Sequence, residues 1–153
     1  MGMESRGGGI FANSSNQKSS ISMRNINGTD NKVMKGGTIY AEANSMELIS
    51  ASFEGNSAIN DGGSIWAIIH SNLTINSMKI KDSKAGDKGG GIYISYRSIF
   101  DSQFLNISSV TPPSSMILRN CNFTSNIDLN ALYGGSIYVN NINDITLSNT
   151  KFE

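Results

Sequence analysis

The 153-residue chain has one cysteine, two prolines, one histidine and no net charge. A lone Cys121 excludes an intrachain disulfide and says nothing about the redox compartment. Twelve basic residues balance twelve acidic ones, which removes the electrostatic footprint of a nucleic-acid or anionic-membrane binder. No apolar run approaches the ~18 residues of a membrane-spanning helix, and the opening MGMESRGGG has no apolar stretch like that of a signal peptide. No segment carries a capped helical stripe. Charged residues amount to 16% of the chain, against roughly 25% in ordinary domains.

Glycine, asparagine, serine and threonine take the place of charge. They are turn formers that also suit stacked sheet surfaces. Two landmarks repeat. The first is Gly-Gly-x-Ile-aromatic, which starts at Gly7, Gly36, Gly62, Gly89 and Gly134. The second is an anchor preceded by aliphatic residues. Phe53 follows Met46 and Leu48, with Asn56 three residues on, and Phe123 follows Met116 and Leu118, with Asn126 three on. Ile80 follows Leu73 and Ile75, and Phe152 follows Ile145 and Leu147. Ile26 with Ile21, and Phe104 with Ile99, fit less completely.

The landmarks alternate once per period, and each period contains stretches of period-two alternation, the pattern of strands. Short strands with an inward aliphatic row and no helix predict an all-β solenoid, a single-stranded parallel β-helix. Six anchors predict about six rungs. Ile39, Ile65 and Ile92 are expected in one interior row, with Phe53 over Ile80 in another. The glycine pair supplies a corner with positive φ, and the Asn three residues after an anchor is expected to bond the next corner. Residues 108–113 (SSVTPP) replace one Gly-Gly strand. Pro112 and Pro113 cannot donate to a ladder, so this stretch is expected to be a loop interrupting the repeat.

Alternating GG-x-I and F-x-x-N motifs resemble the repeats of the polymorphic outer membrane protein family. The resemblance implies a right-handed, pectin-lyase-like parallel β-helix at a cell surface or outside the cell. Residues 1–153 are then expected to be one segment of a longer solenoid, with neighbouring rungs as partners and strand edges prone to stack end to end. The implied function is a non-catalytic structural or adhesive surface module with a protein or carbohydrate partner. Two alternatives stand beside it: a carbohydrate-active lyase or hydrolase, and a ligand-binding solenoid.

No catalytic, cofactor or metal site emerges from spacing. His70 has no partners arranged for catalysis or metal binding and is expected at the surface. Cys121 occupies the frame of Ala51 and Met78 and is expected to be an inward, inert thiol. Lyases and hydrolases of this fold need carboxylate clusters, whereas Asp61, Asp82, Asp87 and Asp101 are dispersed. Five N-x-S/T sequons, at Asn13, Asn27, Asn72, Asn106 and Asn122, are about what an Asn- and Ser-rich chain yields by chance. The remaining candidate is an outward aromatic stripe, Phe11, Tyr40, Trp66, Tyr93 and Tyr138, beside the Gly-Gly strand. Such a stripe either meets sugars or a partner or stacks on itself; the second is the expectation. Lys35, Asp61 and Lys88 precede glycine pairs and should form a column of alternating charge.

Overall fold

A computed structural model describes residues 5–13, 19–96, 114–130 and 133–153 of the chain. Every strand pairing among these residues is parallel, and no helix occurs among them. The chain winds as a β-solenoid with three walls. The Gly-Gly wall stacks Ile10–Asn13, Ile39–Ala43, Ile65–Ile69, Ile92–Tyr96 and Ile137–Asn140. A long wall is built on Ser45–Glu54 and Asn72–Lys81, flanked by shorter strands. A short wall stacks Lys32–Val33, Ser57–Ala58, Lys84–Ala85 and Ile127–Asp128.

The register follows the sequence frame over most of the chain. Ile39 pairs with Ile65 and Ile65 with Ile92, all essentially inaccessible. Phe53 lies over Ile80, Ile80 over Phe123, and Phe123 over Phe152. Met46, Leu73 and Met116 form one further interior row, and Leu48, Ile75 and Leu118 another. One turn alone could not close such a core. Stacking encloses each side chain between levels, and burying one is worth about 1.5–3 kcal/mol. In the level of residues 144–152, Ile145, Leu147 and Phe152 hold the same interior slots but are 46–52% exposed, having a described neighbour on one side only.

Two sequence expectations are corrected. Among the described residues the Gly-Gly wall has five strands and the short wall four, fewer than the six rungs expected. Ile26 is not an anchor: Gly28 pairs with Phe53, while Ile21 pairs with Met46 and Met23 with Leu48. The first frame is therefore displaced by two residues. A Cβ on Gly28 would collide with the Thr38 side chain, so only glycine fits that anchor slot. Strand Ser115–Arg119 pairs directly with Asn72–Lys81, and no anchor comes between Ile80 and Phe123. Phe104, Asp101 and the 108–113 loop lie outside the described residues.

Three corners recur at fixed positions, and each is left-handed in every described level. The columns are Gly7, Gly36, Gly62, Gly89 and Gly134; Asn25, Ser50, Ser77, Asn120 and Asn149; and Asp30, Gly55, Asp82 and Ser125, all with φ between 42° and 68°. Left-handed backbone is costly for L-residues, and Gly, Asn and Asp are the types that visit it routinely. The two glycines of a pair serve different ends. Gly36 takes φ 63°, whereas Gly37 does not; a Cβ on Gly37 would instead run into the carbonyl of Gly63 one level on. Close stacking of turns at the corner requires the second glycine.

The F-x-x-N asparagine reaches the next corner, as expected, and also ties its own corner to the level before it. Asn56 is fully buried. Its Oδ1 accepts the Asn31 backbone N–H at 3.0 Å and the Asn31 Nδ2 at 3.0 Å, and its Nδ2 donates to the Gly28 carbonyl at 2.9 Å. Asn126 repeats the clamp, accepting from the Ser83 N–H at 3.0 Å and donating to the Ile80 carbonyl at 3.1 Å. Asn56 Nδ2 also reaches Ser64 Oγ at 3.3 Å, and Ser64 Oγ meets Ser83 Oγ at 2.7 Å. The small residue inside Gly-Gly-Ser-Ile is thus bound to the asparagine of the other motif.

Truncating Asn56 leaves a buried N–H and carbonyl unpaired, each costing about 1–3 kcal/mol. Asn56→Ala is expected to lower unfolding free energy by about 2–4 kcal/mol. Asn126→Ala, at a half-buried position with two bonds, should cost less. Urea melts of the two variants check the order; equal small losses would contradict the clamp.

Candidate functional site

The aromatic of each Gly-Gly-x-Ile motif follows an inward isoleucine and so points outward. In-register pairing then sets ring over ring: Phe11 with Tyr40, Tyr40 with Trp66, Trp66 with Tyr93 and Tyr93 with Tyr138. Levels of a sheet lie about 4.8 Å apart, close to a favourable distance for offset-stacked rings. Ring centroids are 5.1, 4.4, 5.7 and 5.4 Å apart along the row, and neighbouring planes differ by 6–15°. All five stripe residues named from the sequence meet in one stack. Their faces lie against each other, and Tyr40 and Trp66 are only 4% and 7% exposed. Ile68, on the same outward side as Trp66, packs with them. Phe11 remains 55% exposed.

Cations cover the stack at its corner. The Arg6 guanidinium lies 5.2 Å from the Tyr40 ring centroid, and its Nη1 donates to the Tyr40 hydroxyl at 3.3 Å. Lys35 Nζ lies 5.6 Å from the Trp66 ring, and Lys88 Nζ 5.0 Å and 5.6 Å from Tyr133 and Tyr138. Each contact is worth about 0.5–1 kcal/mol at an exposed site. The column forms, with Arg6 bridging Lys35, and Asp61 bridging Lys88, which bridges Tyr133; its sign alternates only from Lys35 onward, since Arg6 and Lys35 place like charges on adjacent levels. The sequence reading found Lys35, Asp61 and Lys88 but missed Arg6 and Tyr133, although both also stand immediately before a glycine pair. It also missed that the lysines cover rings.

Among the described residues, two polar atoms at this wall are buried without a hydrogen-bond partner, Asp61 Oδ1 and Trp66 Nε1. Burial pushes the Asp61 carboxyl above its ordinary value, with Asp87 adding to the rise and Lys88 and Lys35 opposing it. Burial likewise raises the Tyr93 hydroxyl, with Asp61 contributing. Asp87 pairs with Lys88 at 3.6 Å. Asp128 is buried, and its two oxygens accept the Asn130 and Tyr133 N–H groups at 2.9 and 2.7 Å. Among the described residues no three His, Cys, Asp or Glu side chains are placed to hold a metal ion.

Asp82 pairs with Lys81 at 3.4 Å, away from this group. His70 is half-buried just beyond Ile65–Ile69, its backbone N–H bonded to the Ala43 carbonyl at 3.2 Å. Cys121 points into the core as expected. Its Sγ is 3.2 Å from the Arg119 carbonyl, and burial pushes its thiol up, so the unreactive neutral form is favoured.

A carboxyl raised on folding binds more protons folded than unfolded, so its contribution to stability falls as pH rises. That loss begins near the ordinary value of 3.8 and is complete above the raised folded value. Asp61→Asn is therefore expected to raise the melting temperature at pH 7 and to leave it nearly unchanged below pH 3.8. Thermal melts at both pH values check this; a variant less stable at pH 7 would show that the lysine column needs the Asp61 charge more than burial opposes it.

No curated protein and no solved structure matches the chain significantly. One family model does: that of the Chlamydia polymorphic membrane protein repeat, over residues 50–68. This stretch holds Phe53, Asn56, Gly62, Gly63, Ser64, Ile65 and Trp66, the anchor, the clamp, the glycine corner and the stacked ring of one turn. The chain is a parallel β-solenoid, of which residues 50–68 match the model of the Chlamydia polymorphic membrane protein repeat.

Proposed function

We propose that the chain is a structural or adhesive module displayed at a cell surface, with the solenoid itself as the working part and no catalysis. The observation that carries this reading is the repeat match at residues 50–68, because that repeat is one of membrane proteins and its clamp recurs at Asn126 outside the matched stretch. The aromatic stack supports a mechanical role: interlocked rings hold five levels in register along one wall. Its partner would be a protein or carbohydrate surface met by outward side chains, without nucleic acid. An alternative reading as a carbohydrate-cleaving enzyme would rest on Asp61 and Asp87, on adjacent levels. Asp87 is already ion-paired, and Asp128 beside them is consumed by backbone donors, so the surface-module reading is preferred.

The test is antibody labelling of the source cells with serum raised against residues 1–153. Intact cells are expected to label as strongly as permeabilised ones. Labelling only after permeabilisation would overturn the surface assignment. Release of reducing ends from acidic or neutral polysaccharides, lost in Asp61→Asn, would replace it with the enzyme reading.

A further inference from the structure

The short wall carries a feature that the module reading does not use. A groove of about 620 Å³ runs across its levels, lined among others by Lys32, Ser57, Ile59, Lys84, Gly86 and Leu129. Two outward columns shape it. In one, Lys32 pairs with Ser57 and Ser57 with Lys84, so two lysines stand about 10 Å apart at the backbone with a hydroxyl between them. In the other, Ile59, Gly86 and Leu129 follow on successive levels through the bonds Gly86 N–H to Ala58 O and Leu129 N–H to Ala85 O. Ile59 and Leu129 are 67% and 64% exposed. Gly86 has no side chain and lines the groove between them, which leaves a notch between the two side chains. Its backbone is packed tight on the level before, where a Cβ would strike the Ile59 carbonyl.

The charge on this wall is uncompensated. Lys32 and Lys84 are exposed, and among the described residues neither has an ion-pair partner. Lys81, by contrast, is held by Glu54 and Asp82. The one carboxylate within the short-wall strands, Asp128, is buried and bound to backbone N–H groups. An occupant should therefore bring negative charge to the lysine column and apolar surface to the notch.

We propose that this groove docks an extended acidic peptide segment of a partner protein, with one apolar side chain in the Gly86 notch between Ile59 and Leu129 and flanking carboxylates on Lys32 and Lys84. Successive side chains of an extended peptide point to opposite sides. A Glu-Leu-Glu sequence laid along the groove thus turns its leucine to the apolar column and both glutamates to the lysines. A peptide fits better than an acidic polysaccharide, because the apolar part of the lining is aliphatic and none of the described lining residues is aromatic, so a sugar ring finds no ring face to stack on. The proposal stands whether or not the chain is displayed at a surface.

Fluorescence polarisation of a labelled, end-capped Gly-Glu-Leu-Glu-Gly peptide against the full chain tests it. Saturable binding is expected that weakens with salt and falls roughly tenfold in the Lys32→Glu, Lys84→Glu double variant. Leu129→Ser should weaken it too, whereas Lys151→Glu, on the long wall, should not. All of these positions are exposed, and circular dichroism confirms that each variant folds. A Gly-Glu-Ser-Glu-Gly peptide should bind more weakly and Gly-Lys-Leu-Lys-Gly not at all. No saturable binding, or binding unaffected by the lysine variants, would overturn the proposal. Displacement by polygalacturonate that depends on the lysines but not on Leu129 would reassign the groove to an acidic polysaccharide.

Discussion

The clamp at Asn56 is the interaction on which the rest of the structure depends. A parallel solenoid stacks easily along its strands, where each backbone group finds a partner one level away. Corners are the weak points, because the chain leaves the ladder there and its polar groups would be buried unpaired. Asn56 meets a backbone donor and a backbone acceptor of the previous level with one planar amide, and the amide is the side chain that carries both functions. It reaches Ser64 as well, so the corner and the start of the Gly-Gly wall are fixed by the same group. Aspartate could not donate, and serine is too short to span both sites. Ser83 takes this slot one level later and depends on Asn126 above it and Ser64 beside it for the same closure.

Once the corners are fixed, in-register stacking does the remaining work without further instruction. Identical positions lie one level apart, so any residue type repeated in the frame becomes a continuous row. Isoleucine after each glycine pair makes a core row, and the aromatic after it makes the stack. The same logic stacks Asn149 on Asn120, with an amide bond of 2.8 Å, while Asn76, one position off that column, accepts from the Asn120 amide at 3.1 Å. Neighbour spacing along such rows is set by the sheet rather than by each pair, which explains why each ring lies within 15° of its neighbour's plane along the row.

How far the sequence could be read follows from this division. The interior rows at Ile39–Ile65–Ile92 and Phe53–Ile80 were legible because burial forces a repeated apolar type at a repeated offset; the direct step from Ile80 to Phe123 was not, because Phe104 shares the same offset pattern. The stripe from Phe11 to Tyr138 was legible for the same reason of register. Gly28 was not, since its slot is defined by lack of a side chain against Thr38, and Ile26 nearby looked like a better anchor. Its displacement also hid Asn31, which stands in the F-x-x-N frame behind Gly28 and shares the Asn56 network. The short wall was invisible, because two-residue strands are too brief to show alternation. The partnerless atoms Asp61 Oδ1 and Trp66 Nε1 could not be foreseen, as spacing carries no information about what closes over a side chain.

The walls differ in how much freedom they leave for function. Along the Gly-Gly wall the outward aromatic is nearly invariant, since each ring is the support of the next and a change at one level disturbs two neighbours. Along the short wall the outward residues are Lys, Ser, Lys and Ile in one column, and Ile, Gly and Leu in the next. Apart from Gly86, where a Cβ would strike the Ile59 carbonyl, these residues lie on a backbone that the clamps and the interior rows already fix. At those other positions the wall can change its surface chemistry level by level at little cost to the fold. Specificity in a solenoid of this kind therefore belongs where the repeat is least regular, and here that is the lysine-edged groove rather than the aromatic stack.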